Sequence, residues 1–358
     1  MKKLKIEFAV IITLLFLTSS IPFTATSEII QITNYKPNYY YYHENYENDF
    51  YFVQITDTHV LNKKFDKNET STKRLKCVIE NITSFKTKPA FIVITGDLCD
   101  WGGGDKTGEL NYQAFISCFY KKDNMLYADS THSIPVYTTP GNHDYLWENN
   151  LKNYHKYVDK NHIDTNDKYT VTYSDVSLFF MNSGFNYVSN PRDWTRVKGS
   201  GIYDDDIKWL ENELKECKNK HKIIFMHHPA VNSKDNSGEM TSVIARNREK
   251  FVNLCEEYNV ELVLTGHTHS SRIFDAEEKR YSENDLPFNC SRYPTLYVQT
   301  DDCKEGVHYR NISVINDNVW LEKTQKINFS CGTHNKIRRE NMLVSLLKQV
   351  LIKIAQFF

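Results

Sequence analysis

This chain of 358 residues is predicted to be an α/β protein, and three observations predict it. Five short apolar runs of strand character each stop at a turn that carries acid, amide or imidazole groups. Stretches with apolar residues at helical spacing lie between them. Beyond His269 the pattern changes to strands joined by short polar turns. Strand, polar turn, helix, strand is the rhythm of an α/β sheet, whose sites form beyond the carboxyl ends of the strands.

Taken in order, residues 1–27 start basic (Lys2, Lys3, Lys5), continue with an apolar run over 8–17, and end in small and hydroxylated residues through Ala25 and Ser27. That is the layout of a secretory signal peptide, with an apolar run too short for a comfortable membrane span. The expected location is secreted, extracellular or in an endomembrane lumen. Residues 28–49 are rich in Tyr and Asn, with Tyr39, Tyr40, Tyr41 and Tyr42 in a row, and show no period. They read as a linker or an irregular cover strand. The principal domain is expected over 50–330.

Within it, Tyr51-Phe52-Val53-Gln54-Ile55 runs into Asp57 and His59, and Phe91-Ile92-Val93-Ile94 runs into Asp97 and Asp100. Val136-Tyr137 leads to Pro140-Gly141-Asn142-His143-Asp144, a corner that aims its polar side chains because proline fixes φ and glycine tolerates positive φ. Ile223-Ile224-Phe225-Met226 precedes His227-His228-Pro229, and Leu262-Val263-Leu264 precedes Gly266-His267-Thr268-His269. Helices are predicted over 72–85, 207–217 and 248–258. Leu296-Tyr297-Val298-Gln299, 309–315 and 319–324 read as strands, the last two joined at Asn316-Asp317-Asn318, forming an antiparallel edge of the same domain. The tail, 331–358, turns basic at Lys336 and then spaces Leu343, Leu346, Leu347, Val350, Leu351 and Ile354 as an amphipathic helix. It either packs on the domain or contacts a membrane surface.

Composition narrows the function classes. A formal net charge of −1 gives no nucleic-acid-binding surface. There are 8 cysteines, none in a C-x-x-C pair, so a thiolate zinc site is not indicated and an even number in a secreted chain suggests disulfides. Sequons at Asn68, Asn81, Asn289, Asn311 and Asn328 fit N-glycosylation.

The polar turns carry the chemistry. Carboxylate, imidazole and amide oxygen are the donors that hold the metals of hydrolytic enzymes. Asp57-x-His59 and His267-x-His269 each place two such groups on one post-strand loop. Either pair alone reads as an ordinary structural or solvent-facing pair, and an isolated Asn-His-Asp triplet as an ordinary surface turn. Five strand ends converging with these residue types point to a metal site.

In these motifs the sequence resembles the calcineurin-like metallophosphoesterases. Asp57-Thr58-His59, Gly96-Asp97-Leu98-Cys99-Asp100, Gly141-Asn142-His143-Asp144, His227-His228-Pro229 and Gly266-His267-Thr268-His269 match the family's motifs in order. The resemblance implies a four-layer α-β-β-α sandwich of mixed sheets with two metal ions at the strand ends, divalent or mixed-valence and drawn from Mn, Fe and Zn. By motif position Asp57, His59, Asp97 and His269 would hold one ion, and Asp97, Asn142, His227 and His267 the other. His143 would assist the leaving group and Asp144 would orient its ring, with hydroxide held between the ions attacking phosphorus. His228 reads as packing or as support to a ligand. Purple acid phosphatases carry a tyrosine three residues after the bridging aspartate; Asp100 stands there, so the phosphodiesterase-type members are the nearer resemblance.

The expected function is hydrolysis of phosphomonoesters or phosphodiesters of small molecules. The alternatives are a catalytically silent scaffold on the same fold and a phospholipid-headgroup hydrolase at a membrane. Specificity is expected from the loops 101–108 and 186–198, which contain Trp101, Arg192, Trp194 and Arg196. The sequence leaves the oligomeric state open.

Overall fold

A computed structural model describes residues 40–43, 49–122, 125–129, 134–145, 150–158, 167–184, 199–236, 238 and 240–329. The expected signal segment, the tail at 331–358 and the loop residues Arg192, Trp194 and Arg196 lie outside the described residues.

Two eight-stranded mixed sheets face each other. The first runs β15 (Phe288–Asn289), β18 (Val319–Lys326), β17 (His308–Val314), β2 (Phe50–Ile55), β3 (Ile92–Thr95), β6 (Pro135–Thr139), β5 (Met125–Tyr127), β4 (Tyr120–Lys122). The second runs β1 (Tyr40–His43), β7 (Tyr169–Tyr173), β8 (Val176–Phe180), β10 (His221–Phe225), β12 (Leu262–Thr265), β16 (Leu296–Gln299), β13 (Arg272–Phe274), β14 (Arg280–Tyr281). A separate pair joins β9 (Gly199–Gly201) to β11 (Ile244–Arg246). The central strands are parallel, β2 with β3 and β3 with β6 in one sheet, β8 with β10 and β10 with β12 in the other. Parallel neighbours end on the same side, so their carboxyl ends form one edge.

Alternation along the strands sorts side chains into layers. Phe50, Phe52, Val93, Leu178, Phe180, Ile223, Phe225, Leu262 and Leu264 fill the space between the sheets. Phe52 stacks on Phe91 at 4.6 Å and meets Phe225 of the facing sheet edge-on at 5.8 Å. Val53, Ile55, Ile92 and Ile94 point the other way, onto α1 (Thr70–Thr83) and α2 (Lys106–Ile116) through Leu75, Val78, Ile79, Ile82, Tyr112 and Phe115. Phe179, Ile224 and Val263 meet α5 (Asp204–Glu216) and α6 (Arg248–Glu257) through Ile207, Leu210, Leu214 and Phe251. Two short helices, α3 (Asn142–Tyr145) and α4 (Lys152–Tyr157), follow β6. The layers are helix, sheet, sheet, helix, as expected. Each buried Phe or Leu contributes roughly 1.5–3 kcal/mol through surface removed from water.

Three expectations are resolved or changed. Of the two readings of residues 28–49, linker or cover strand, Tyr40–His43 takes the second, pairing in parallel with β7 as a regular edge strand; consecutive tyrosines suit a strand better than a tether. The segment from Leu296 onward is split between sheets. Leu296–Gln299 is an interior parallel neighbour of Leu262–Thr265, because Leu296 and Val298 face the inter-sheet core while Tyr297 faces the helices. Only Val319–Lys326 and His308–Val314 form the predicted hairpin, and the latter continues antiparallel onto β2. Finally, among the described residues Cys99, Cys118, Cys217, Cys255, Cys290 and Cys303 are thiols rather than members of the expected disulfides, while Cys331 lies outside the described residues. Cys99, Cys255, Cys290 and Cys303 are buried and behave as small apolar residues. Of the sequon asparagines, Asn68 and Asn328 are exposed while Asn289 is buried and bonded to Asn318.

Near the carboxyl edge a buried polar network ties the sheets together. Gln54 Nε2 donates to Thr95 Oγ1 and to the Thr265 carbonyl, Thr300 Oγ1 donates to Gln54 Oε1, and the fully buried Arg310 donates through Nε to Thr300 Oγ1. Arg310 is balanced by Glu283. Among the described residues no helix is long and apolar enough to cross a membrane.

Candidate metal centre

Backbone conformation at the carboxyl edge is unusual. Asp57, His59, Asp97, His267 and His269 have φ of 53°, 43°, 50°, 68° and 46°. Left-handed backbone at non-glycine residues costs of order 1–3 kcal/mol each and persists only where the surroundings enforce it. Here it turns both polar residues of each x-spaced pair inward. Gly96, φ 81°, reaches the same conformation without a side chain, and a Cβ there would collide with the His227 ring. Close contact of the loops after β3 and β10 therefore requires glycine.

The carboxylates divide their oxygens. Asp57 Oδ2 accepts from Thr56 Oγ1 at 2.7 Å and from the His267 amide at 2.9 Å. Its Oδ1 has no hydrogen-bond partner though buried, and lies 3.3 Å from His269 Nε2 and 3.8 Å from His59 Nε2. Asp97 Oδ1 accepts from the His143 amide at 2.8 Å, while Oδ2 lies 3.5 Å from His59 Nε2 and 3.3 Å from His227 Nε2. Asn142 Oδ1 is 3.1 Å from His227 Nε2.

The imidazoles divide likewise. His227 Nδ1 donates to the Thr95 carbonyl at 2.8 Å, which leaves an Nε2 lone pair facing Asp97, Asp57 and Asn142. His59 Nδ1 lies 2.8 Å from Asp100 Oδ1, and its buried Nε2 has no hydrogen-bond partner. A ring fixed at one nitrogen by a carbonyl or carboxylate, with the other free, is the arrangement in which metal-binding histidines are held.

Charge points the same way. Burial opposes ionisation of Asp57 and Asp97, yet His227 and the neighbouring imidazoles hold both below the usual carboxylate range. Burial likewise opposes charge on His59 and His227, but Asp100 and Asp57 carry the first up to about 10, and Asp97 and Asp57 carry the second to about 9. Buried carboxylates here require positive charge, from protons or from metal ions. Orphaned Asp57 Oδ1 and His59 Nε2, in a set of carboxylate, imidazole and amide donors, fit metal ions. Donor atoms lie within 4.8 Å of one another in four groups: Asp57, His59, His269; His59, Asp97, His143; Asp57, Asp97, His227; and His227, His228, His267.

All seven expected metal-ligating residues are thus brought to one edge. Asp144 differs from expectation. Its carboxylate accepts from the amides of Gly141, Leu98 and Cys99 and from Tyr112 Oη at 2.7 Å. It fastens the loop after β6 to the loop after β3 and shows no bond to the His143 ring. Burial and nearby Asp97 push its pKa up to about 6. The His143 ring is held instead by Asp100, whose carbonyl accepts from Nδ1 at 2.7 Å. With the His143 side chain 33% exposed, Nε2 remains for exchange with what enters the cleft.

Sequence reasoning gave Asp100 no role, although it serves His59 through its carboxylate and His143 through its carbonyl. Lys304 Nζ, 3.2 Å from Asp100 Oδ1, and Asp302 Oδ2, 3.8 Å from His269 Nδ1, also went unpredicted. Their loop follows β16, which carried no motif.

A family model for calcineurin-like phosphoesterases matches residues 50–271. Over 224 residues the chain is 25% identical to a protein of Arcobacter nitrofigilis described as a probable glycerophosphodiester phosphodiesterase, covering 61% of this chain and 71% of that one. It is 24% identical over 245 residues to a probable cyclic nucleotide phosphodiesterase of Coxiella burnetii, covering 68% of this chain and 85% of that one. Among solved structures, a purple acid phosphatase from yellow lupin superposes with a TM-score of 0.49 at 13% identity, over 78% of this chain and 51% of that one. The site belongs to a metal-dependent hydrolase of phosphoric esters. The chain is a member of the calcineurin-like phosphoesterase family.

Proposed function

We propose that the chain hydrolyses phosphodiesters of small molecules using two metal ions that share Asp97. One observation carries this reading: Asp97 Oδ2 lies between His59 Nε2 and His227 Nε2, at 3.5 and 3.3 Å, with each ring fixed at its other nitrogen. Asp57, His59, Asp97 and His269 would hold one ion; Asp97, Asn142, His227 and His267 the other. When bound, the ions supply Lewis acidity toward the phosphoryl oxygens and a water acidified to neutral pH. The chain's residues do the rest. His143, its Nδ1 proton committed to the Asp100 carbonyl, presents Nε2 to the departing oxygen, and in its imidazolium form the Nε2 proton hydrogen-bonds to that oxygen and passes to it, leaving the neutral ring. Asp144 locks the loops that aim His143 and Asp97. The diester preference draws on the two relatives, both described as phosphodiesterases, and on Asp100 in place of tyrosine. Residues 1–27 support a secreted or lumenal setting, which sequencing the mature amino terminus would check.

The test is a metal-reconstituted assay of matched substrates, p-nitrophenyl phosphate against bis(p-nitrophenyl) phosphate. Faster diester turnover that a chelator abolishes and Mn restores is the expected result. Preferential monoester turnover would overturn the diester reading. A protein that binds metal but cleaves neither would instead be a scaffold.

A further inference from the structure

His228 is the buried imidazole of the site edge that this assignment leaves without work. It follows His227 directly after β10 and is fully buried. Its ring is gripped from a sixth strand end, β8, where the sequence shows no ligand motif. Ser183 Oγ accepts the His228 backbone N–H at 3.0 Å and meets ring Nδ1 at 2.8 Å. The ring is also enclosed by the rings of His227 and His267, at centroid distances of 4.9 and 4.5 Å. Its Nε2 is buried and has no hydrogen-bond partner. An apolar side chain would fill the same space without the roughly 1–3 kcal/mol cost of an unmet buried polar atom. Two contacts from one serine hydroxyl would also be superfluous for a packing residue. Donor atoms of His227, His228 and His267 lie within 4.8 Å of one another. That spacing would let the three imidazoles serve one ion.

We propose that His228, oriented by Ser183, is an additional protein donor to the ion held by Asp97, Asn142, His227 and His267. With Nδ1–H given to Ser183 Oγ, Nε2 offers its lone pair to that ion. The two half-sites then differ in kind. The first has two carboxylates and two imidazoles; the second has three imidazoles, an amide and only the shared carboxylate. Nitrogen-rich donor sets favour Zn and similar ions over Mn, so the second half-site selects the softer metal. This inference rests on the two-ion reading above.

The test compares the full chain with H228F and S183A, using zinc titration against a chromophoric chelator and 113Cd NMR of the cadmium-loaded protein. Wild type is expected to take up two ions. H228F should keep one at wild-type affinity, bind the other about 10–100-fold more weakly, and move one cadmium resonance; S183A should weaken the same ion about 10-fold. Circular dichroism and a thermal melt of the metal-free proteins establish that each variant folds. If H228F does not fold, the S183A readings decide, and unchanged zinc affinity with an unmoved resonance there overturns the proposal. Two ions at wild-type affinity and unmoved resonances in a folded H228F overturn the His228 assignment alone. A wild type that takes up one ion overturns the two-ion reading and this assignment with it.

Discussion

The two ends of the parallel strands use the same materials to opposite effect. At the amino end, His221 is buried with both ring nitrogens engaged, Nδ1 2.8 Å from Glu261 and Nε2 3.2 Å from Asp317. At the carboxyl end, His59 and His228 are equally buried but bonded at one nitrogen only, by Asp100 and Ser183. Left-handed backbone divides in the same way. Asn316 and Asp317, φ 50° and 58°, form the two-residue turn between β17 and β18, where such residues fit at little cost. Asp57, His59 and Asp97 adopt it while buried. The doubly bonded His221 maintains structure; His59, bonded at one nitrogen and held on left-handed backbone, is kept ready for a ligand.

Three experiments would break or sharpen that contrast. The largest effect is expected for His143→Ala, which should keep its bound metal and lose about 10²–10⁴-fold in turnover. Loss of metal from this variant, measured by elemental analysis, would put His143 inside the coordination shell. Asp100→Asn comes next, because it weakens the partner of His59 Nδ1 while sparing the carbonyl that holds His143. A loss of about 10–100-fold in metal affinity is expected, and unchanged affinity would show that His59 needs no such support. The smallest effect belongs to the other end. Burial lowers the His221 pKa, but Glu261 and then Asp317 outweigh it and leave it above the ordinary 6.5. Its stabilisation is therefore full below about pH 6.5 and fades as pH rises through the folded value. His221→Gln should flatten the fall of the thermal midpoint over that range; an unaltered slope would deny the ring its structural role.

How legible each region was in the sequence follows from the physics that shaped it. Apolar runs ending in Asp57, Asp97, Asn142, His227 and His267 were readable because a buried parallel strand is apolar on both faces and its loop must carry the chemistry. The helices 72–85, 207–217 and 248–258 were found to within a few residues by their period. Tyr169–Tyr173 and Val176–Phe180 were overlooked because no polar ligand marked their ends. Lys106–Ile116, with its glycine and scattered apolar residues, was read in part as loop. The partition of 296–326 between two sheets could not be read locally, since pairing partners are chosen by tertiary contact. Asp144 misled because sequence adjacency to His143 suggested contact, whereas the one-turn helix Asn142–Tyr145 directs its carboxylate at the amides of Gly141, Leu98 and Cys99.

The position of Leu296–Gln299 bears on how the protein can be handled at the bench. The family match stops at residue 271, yet this later strand is the parallel neighbour of Leu262–Thr265, and the loop beyond it carries Asp302 to His269 and Lys304 to Asp100. A fragment trimmed to the matched segment would expose the flank of Leu262–Thr265 as a raw, apolar sheet edge prone to aggregation. The shortest piece worth expressing for crystals or assays runs from 40 to 329, so that Tyr40–His43 still covers the edge of Tyr169–Tyr173.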